Sequence, residues 1–144
     1  MKALNSLVRL YKWRVDEKRR RLADIYAMRD EYENKLKAIA AAVVREQDIV
    51  NTASGSPADV GFSYGAFAQA AIQQRENIQQ SIALLDVQIS EALEEVAEAF
   101  KALKRQEIAV ANQEMRKAKT RERREQNLSD DQAIESHQRK IARS

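Results

Sequence analysis

The residues that break helices are confined to one short stretch of this chain. All three glycines, Gly55, Gly61 and Gly65, and the only proline, Pro57, fall within eleven consecutive residues. A β-sandwich or barrel needs a turn signal about every 8–12 residues, and a doubly wound α/β fold needs glycine where its strands lead into helices. The chain therefore predicts an all-α fold with a single connection, at about residues 52–65.

Two apolar stripes flank this connection, each with the 3.5-residue repeat of a coiled coil. Eleven of fourteen positions before it and ten of thirteen after it are apolar. The first stripe is Leu4, Val8, Tyr11, Val15, Lys18, Leu22, Ile25, Arg29, Tyr32, Leu36, Ile39, Val43, Glu46 and Val50. The second stripe is Ala71, Arg75, Ile78, Ile82, Leu85, Ile89, Ala92, Val96, Ala99, Leu103, Gln106, Val110 and Gln113.

Two such stripes joined by a short connection predict a long antiparallel two-helix coiled-coil hairpin, in which each stripe covers the other. We expect one coiled-coil domain over residues 1–144, with helix 1 at about 3–51, helix 2 at about 66–136 and a flexible tail at about 137–144. Antiparallel pairing places the basic run Lys18–Arg21 near Glu94, Glu95 and Glu98. It also leaves the helix beyond about Gln113 overhanging, without a partner stripe.

Positive charge is concentrated in two segments that this hairpin would bring to one end. The first 25 residues hold 8 basic and 3 acidic residues, and residues 111–128 hold 6 basic and 3 acidic residues. A basic surface of this kind predicts docking to an acidic protein partner, although a solvated helix end explains the same pattern. Nucleic acid is the weaker option, because no aromatic residues interleave with the charges.

The aromatic residues leave alternatives open. Trp13 either broadens the core or anchors an interface, and packing is the favoured interpretation. Phe62, Tyr64 and Phe67 either cap the connection or form a binding patch.

The sequence offers no chemistry that would indicate an enzyme. Cysteine is absent, the one histidine, His137, lies in a polar tail, and no phosphate-binding glycine motif is present. We expect no catalytic residues, no metal and no cofactor. No stretch has the length and apolarity of a membrane span or a signal peptide, which predicts a cytoplasmic protein without direct membrane insertion.

Both ends of the chain carry recognisable motifs. The opening is Leu4-Asn-Ser-Leu7-Val-Arg9-Leu10-Tyr-Lys-Trp-Arg14-Val-Asp-Glu17-Lys-Arg-Arg-Arg-Leu22-Ala23. It resembles the start of the FliJ-type flagellar export family, whose Leu-spaced helix leads into R-x-x-E, a basic run and Leu-Ala. Near the other end, Arg121-Glu-Arg-Arg124-Glu-Gln126-Asn-Leu128-Ser-Asp130-Asp resembles its R-R-x-E-Q stretch, with Leu-Ser-Asp-Asp where the family has Leu-Asp-Glu.

This resemblance implies a stalk and adaptor in the flagellar type III export apparatus, at the cytoplasmic face of the inner membrane. Its partners would be the export ATPase hexamer, the cytoplasmic domain of the membrane export gate and the chaperones of late export substrates. The surface facing the ATPase would comprise Arg14, Lys18, Arg19, Arg20, Arg21, Arg116, Lys117, Lys119, Arg121, Arg123 and Arg124. We expect Phe62, Tyr64 and Phe67 as a gate contact, although no family motif covers them.

Two other functions fit the same residues. One is a coiled-coil scaffold of a different assembly, including the stalk of a virulence-type secretion system. The other is a basic nucleic-acid-binding protein, for which a steep salt-dependent affinity for DNA or RNA would be the signature.

Overall fold

A computed structural model describes residues 2–52 and 57–143, and every one of these residues is helical. Helix α1 spans Lys2–Thr52, and helix α2 spans Pro57–Arg143. The two long helices pack against each other. The described residues thus confirm an all-α chain.

Helix α2 begins earlier than the sequence predicts. Gly61 and Gly65, expected in the connection, lie inside its first turns, and residues 53–56 fall outside the described part of the chain. Pro57 explains this start, because the first helical position needs no backbone N–H and proline's fixed φ suits it. Helix α2 also continues to Arg143, through the expected tail, where Glu135 and Arg139 pair one turn apart.

Residue contacts divide the chain into two units, which are described separately. The central unit is Arg14–Ala99, and the terminal unit combines Met1–Trp13 with Phe100–Ser144.

The core of the central unit is a small apolar cluster. Ile25, Leu85, Ile89 and Ala92 are buried together, and Leu22 and Tyr32 pack against them. All six side chains belong to the two predicted stripes. Val15 and Ala71 are also buried in this unit, and Leu103 is the buried apolar residue of the described part of the terminal unit. The 3.5-residue repeat therefore identified every buried apolar residue among the described residues.

Polar contacts link the helices of the central unit in one consistent order. Lys18 Nζ lies 3.3 Å from Glu95 Oε2, Arg29 Nε donates to Asp86 Oδ1 at 2.6 Å, and Gln47 Nε2 donates to the Tyr64 hydroxyl at 2.9 Å. As residue numbers rise along α1, those of the partners on α2 fall. The expected proximity of the basic run to Glu95 is confirmed.

The terminal unit contains a long stretch of α2 with no packed side. Every residue from 114 to 143 is exposed, whereas Gln113 is half-buried. Burial along α2 thus ends at Gln113, the last position of the second stripe. We call residues 114–143 the C-terminal segment.

We predict that Leu85→Ala lowers the free energy of unfolding by about 2–4 kcal/mol, because it removes buried methyl groups from the core cluster. Leu84→Ala is the matched control, since Leu84 is 67% exposed while Leu85 is 7% exposed. It should change the free energy by less than about 0.5 kcal/mol. Urea unfolding followed by circular dichroism measures both, and equal effects would contradict this core.

We also predict that Gly61→Ala and Gly65→Ala each stabilise the protein, by about 0.5–1 kcal/mol. Neither glycine has a positive φ, and a Cβ atom at either position meets nothing within 4 Å. Alanine then gains helix propensity and loses less backbone entropy on folding. A fall in the thermal midpoint of either variant would show that this part of α2 is not helical in solution.

Candidate functional site

The predicted basic surface divides between the two units. Arg14, Lys18, Arg19, Arg20 and Arg21 belong to the central unit, and the other six predicted cations lie in the C-terminal segment of the terminal unit. The cations of the two units differ in the residues that surround them.

Carboxylates of α2 surround part of the basic run on α1. Lys18 Nζ and Arg21 Nη1 lie 3.3 Å and 3.5 Å from the same oxygen, Glu95 Oε2. Arg14 and Lys18 also line a groove whose other side carries Glu91, Glu94, Glu95 and Glu98. The positive charge of Lys18 and Arg21 is therefore partly used inside the central unit, and less of it is available to a partner.

Arg19 and Arg20 differ from these neighbours. Both are exposed, and within the described part of the chain neither forms an ion pair. They are the two cations of this run that can attract an acidic surface without first releasing a carboxylate.

The six cations of the C-terminal segment lie on one side of an exposed helix. At about 100° per residue, Lys117, Arg121 and Arg124 form one row, and Arg116, Lys119 and Arg123 form an adjacent row. Together they cover an arc of roughly 200°. Within residues 114–125, the carboxylates Glu114, Glu122 and Glu125 occupy the remaining side. Farther along the helix, Asp130, Asp131 and Glu135 lie at the angles of the cations.

Half of these cations have no carboxylate one helical turn away, namely Arg116, Arg123 and Arg124. Lys117, Lys119 and Arg121 each have one, at Glu114, Glu122 and Glu125. Among the described residues, none of the six cations forms an ion pair. We name the face that carries them the basic face.

Ion pairs to α2 explain two of the polar interruptions in the first stripe. Lys18 pairs with Glu95, and Arg29 pairs with Asp86 and also with Glu33 one turn along α1. The hydrogen bond to Asp86 is the main reason that the pKa of Arg29 lies above its ordinary value. The pair of Arg29 with Asp86 links α1 to α2 at one position and so favours one alignment of the helices.

The three aromatic residues predicted as a gate contact do not share a face. Phe62 is 81% exposed, whereas Tyr64 and Phe67 are half-buried and Tyr64 accepts the hydrogen bond from Gln47. Two residues of helix turn the side chains of Phe62 and Tyr64 by about 200°, so they lie on opposite sides. The separation arises because this stretch is helical and not the predicted connection.

Trp13 is more exposed than its favoured interpretation predicts. Its exposed fraction is 54%, so it does not broaden the core of the terminal unit. This leaves it available as an apolar anchor.

The sequence did not reveal an apolar groove between α1 and α2 in the central unit. Its volume is about 600 Å³, and its lining includes Leu36, Ile39, Ala40, Val43, Tyr64, Ala68, Ala71 and Ile72. The alanines on and beside the stripes could have indicated this groove, because small side chains leave space where two helices meet.

The described residues include no helical stretch long and apolar enough to cross a membrane. Within the same residues, no group of three His, Asp or Glu side chains is placed to hold a metal ion.

No protein-family model matches the chain, and no curated protein or solved structure matches it either. The resemblance to FliJ-type proteins rests on the motifs at the two ends of the sequence.

We predict that Glu95→Gln lowers the free energy of unfolding by about 0.5–1 kcal/mol at low salt, because it removes the shared partner of two partly exposed cations. The loss should shrink in 1 M NaCl, where surface pairs are screened. Glu94→Gln is the control, since Glu94 is exposed and forms no ion pair among the described residues. Equal losses of unfolding free energy in the two variants would contradict the specific role of Glu95.

Proposed function

We propose that this chain is a stalk and adaptor of a flagellar type III export apparatus, and that it acts by binding and not by catalysis. The single observation that supports this function best is the basic face of the C-terminal segment. Over residues 114–125 this unpacked helix carries six exposed cations and three carboxylates, an excess of positive charge that is suited to docking on an acidic protein surface.

The proposed architecture is an antiparallel coiled-coil hairpin with an overhanging C-terminal segment. The falling order of the α2 partners, from Glu95 through Asp86 to Tyr64, supports it. Burial of the two 3.5-residue stripes supports a coiled-coil interface. The end of burial at Gln113 supports the overhang.

The proposed partner of the basic face is the hexameric export ATPase. Arg116, Lys117, Lys119, Arg121, Arg123 and Arg124 would provide most of the attraction, with Arg19 and Arg20 as secondary contacts. Arg14, Lys18 and Arg21 would contribute less, because α2 carboxylates compete for their charge. By binding one conformation of the ATPase subunits more tightly than the others, such a stalk would bias the ring without any chemistry of its own.

The remaining partners are proposed on the motif resemblance. The chain would also contact the cytoplasmic domain of the membrane export gate and the chaperones of late substrates, in the cytoplasm at the flagellar base. Of the three aromatic residues expected at the gate, Phe62 has the exposure that such a contact needs.

Binding to the purified export ATPase of the same organism tests the proposal. We predict association at low salt, ATP hydrolysis stimulated by the chain, and weaker affinity as salt rises. Replacing Lys117, Arg121 and Arg124 with Gln should weaken binding by about tenfold or more, since each exposed charge pair is worth up to about 1 kcal/mol.

The matched control replaces Glu114, Glu122 and Glu125 with Gln. It makes the same number of exposed substitutions in the same helix, and it should leave binding unchanged or tighter. The absence of any association at low salt would overturn the proposed function. Tight, steeply salt-dependent binding of DNA or RNA in place of the ATPase would favour the nucleic-acid alternative.

A further inference from the structure

The apolar groove of the central unit leaves hydrophobic surface uncovered. Ile72, which lines the groove, is 56% exposed, and Val44, the neighbour in sequence of the lining residue Val43, is 55% exposed. Contiguous apolar surface of this kind is costly in water and usually marks an interface. The groove and these side chains belong to the central unit, whereas the basic face belongs to the terminal unit.

Charges of both signs flank Ile72. Lys37 and Arg75 line the apolar groove on one side of it. Glu76 lines a second depression, which Ile72 also borders, together with Ala66, Gln69, Ala70 and Gln73. Lys37, Arg75 and Glu76 are exposed, and none forms an ion pair within the described part of the chain.

This arrangement is self-complementary. A two-fold axis beside Ile72 would place the cationic side of one copy against the anionic side of another. Each Ile72 would then lie in the groove of the other copy, where Ala40 and Ala68 leave room for it. Each Arg75 would approach the partner's Glu76.

We propose that the apolar groove is the interface of a homodimer, in which a second copy of this chain packs its own groove face against the first. The surface available supports a dimer of moderate affinity. Residues 62–79 of α2 extend for about 27 Å, and two adjacent helices are about 20 Å wide, which gives roughly 500 Å² per copy. This total of about 1,000 Å² lies at the lower limit for specific protein interfaces.

An acidic helix of another protein fits the groove less well. Its carboxylates would meet Lys37 and Arg75 favourably, but Glu76 on the other side of Ile72 would repel them. A second copy satisfies all three charges at once. The dimer does not depend on the proposed flagellar function.

Sedimentation equilibrium of the full chain, from about 1 to 500 μM, tests the dimer. We expect a reversible monomer–dimer equilibrium with a dissociation constant in the micromolar range. Ile72→Lys should weaken dimerisation by at least about tenfold, since it places an ammonium group in a groove that Lys37 and Arg75 line. Circular dichroism should show unchanged helix content, because Ile72 is an exposed residue.

Leu84→Lys is the matched control, at an exposed apolar residue of the same helix and unit that lies outside the groove. It should dimerise like the original chain. A chain that remains monomeric to 500 μM would overturn the proposal and leave another protein or an apolar ligand as the occupant. Equal weakening of the dimer by Ile72→Lys and Leu84→Lys would also overturn it.

A charge swap tests the two-fold arrangement directly. Arg75→Glu and Glu76→Arg should each weaken the dimer, because each places like charges opposite one another. The double variant restores opposite charges across the axis, so its affinity should return to within about threefold of the original. Failure of the double variant to recover would contradict the pairing of Arg75 with Glu76.

Discussion

Each helix of this protein carries one narrow apolar stripe, and the structure depends on the mutual burial of these two stripes. The core cluster in the central unit consists of four buried residues, all of them stripe residues. Two packed helices cannot enclose more, so most of the long side chains keep contact with water. Stability must therefore come from a long series of small contacts, and a defect in one stripe weakens the structure around it.

A stripe of Leu, Ile and Val residues covers its partner well but does not specify one alignment. A shift of one heptad brings similar residues together again. Arg29 removes this ambiguity, because only one alignment places Asp86 within reach of a guanidinium already held by Glu33. Lys18 and Arg21 do the same at Glu95. The polar interruptions Lys18 and Arg29 thus reduce the apolar burial of the first stripe and in return specify its register.

The helical class and the buried face could be predicted from the sequence, because both follow from a repeat that extends over many turns. The end of packing at Gln113 was predictable for the same reason, since it depends on where the other stripe begins. The start of α2 could not be predicted from the sequence. Glycine and serine made residues 57–65 resemble a loop, but two glycines cost a helix only about 2 kcal/mol in total, and neighbouring turns can offset that. The surfaces were harder to predict. The positions of Phe62 and Tyr64 depend on the helical start of α2, and the apolar groove depends on small side chains that the apolar repeat does not identify.

The distribution of charge separates two kinds of basic residue that a sequence count treats as equal. In the central unit, Lys18 and Arg21 form ion pairs with Glu95, and these pairs help to align the two helices. In residues 114–125 of the C-terminal segment, six exposed cations outnumber three carboxylates, and none of the six forms an ion pair among the described residues, so their charge stays available to a partner. A helix that buries nothing gains no stability from holding its cations together on one side. This arrangement instead favours attraction of an acidic partner, and it makes the basic face the surface through which the chain would act.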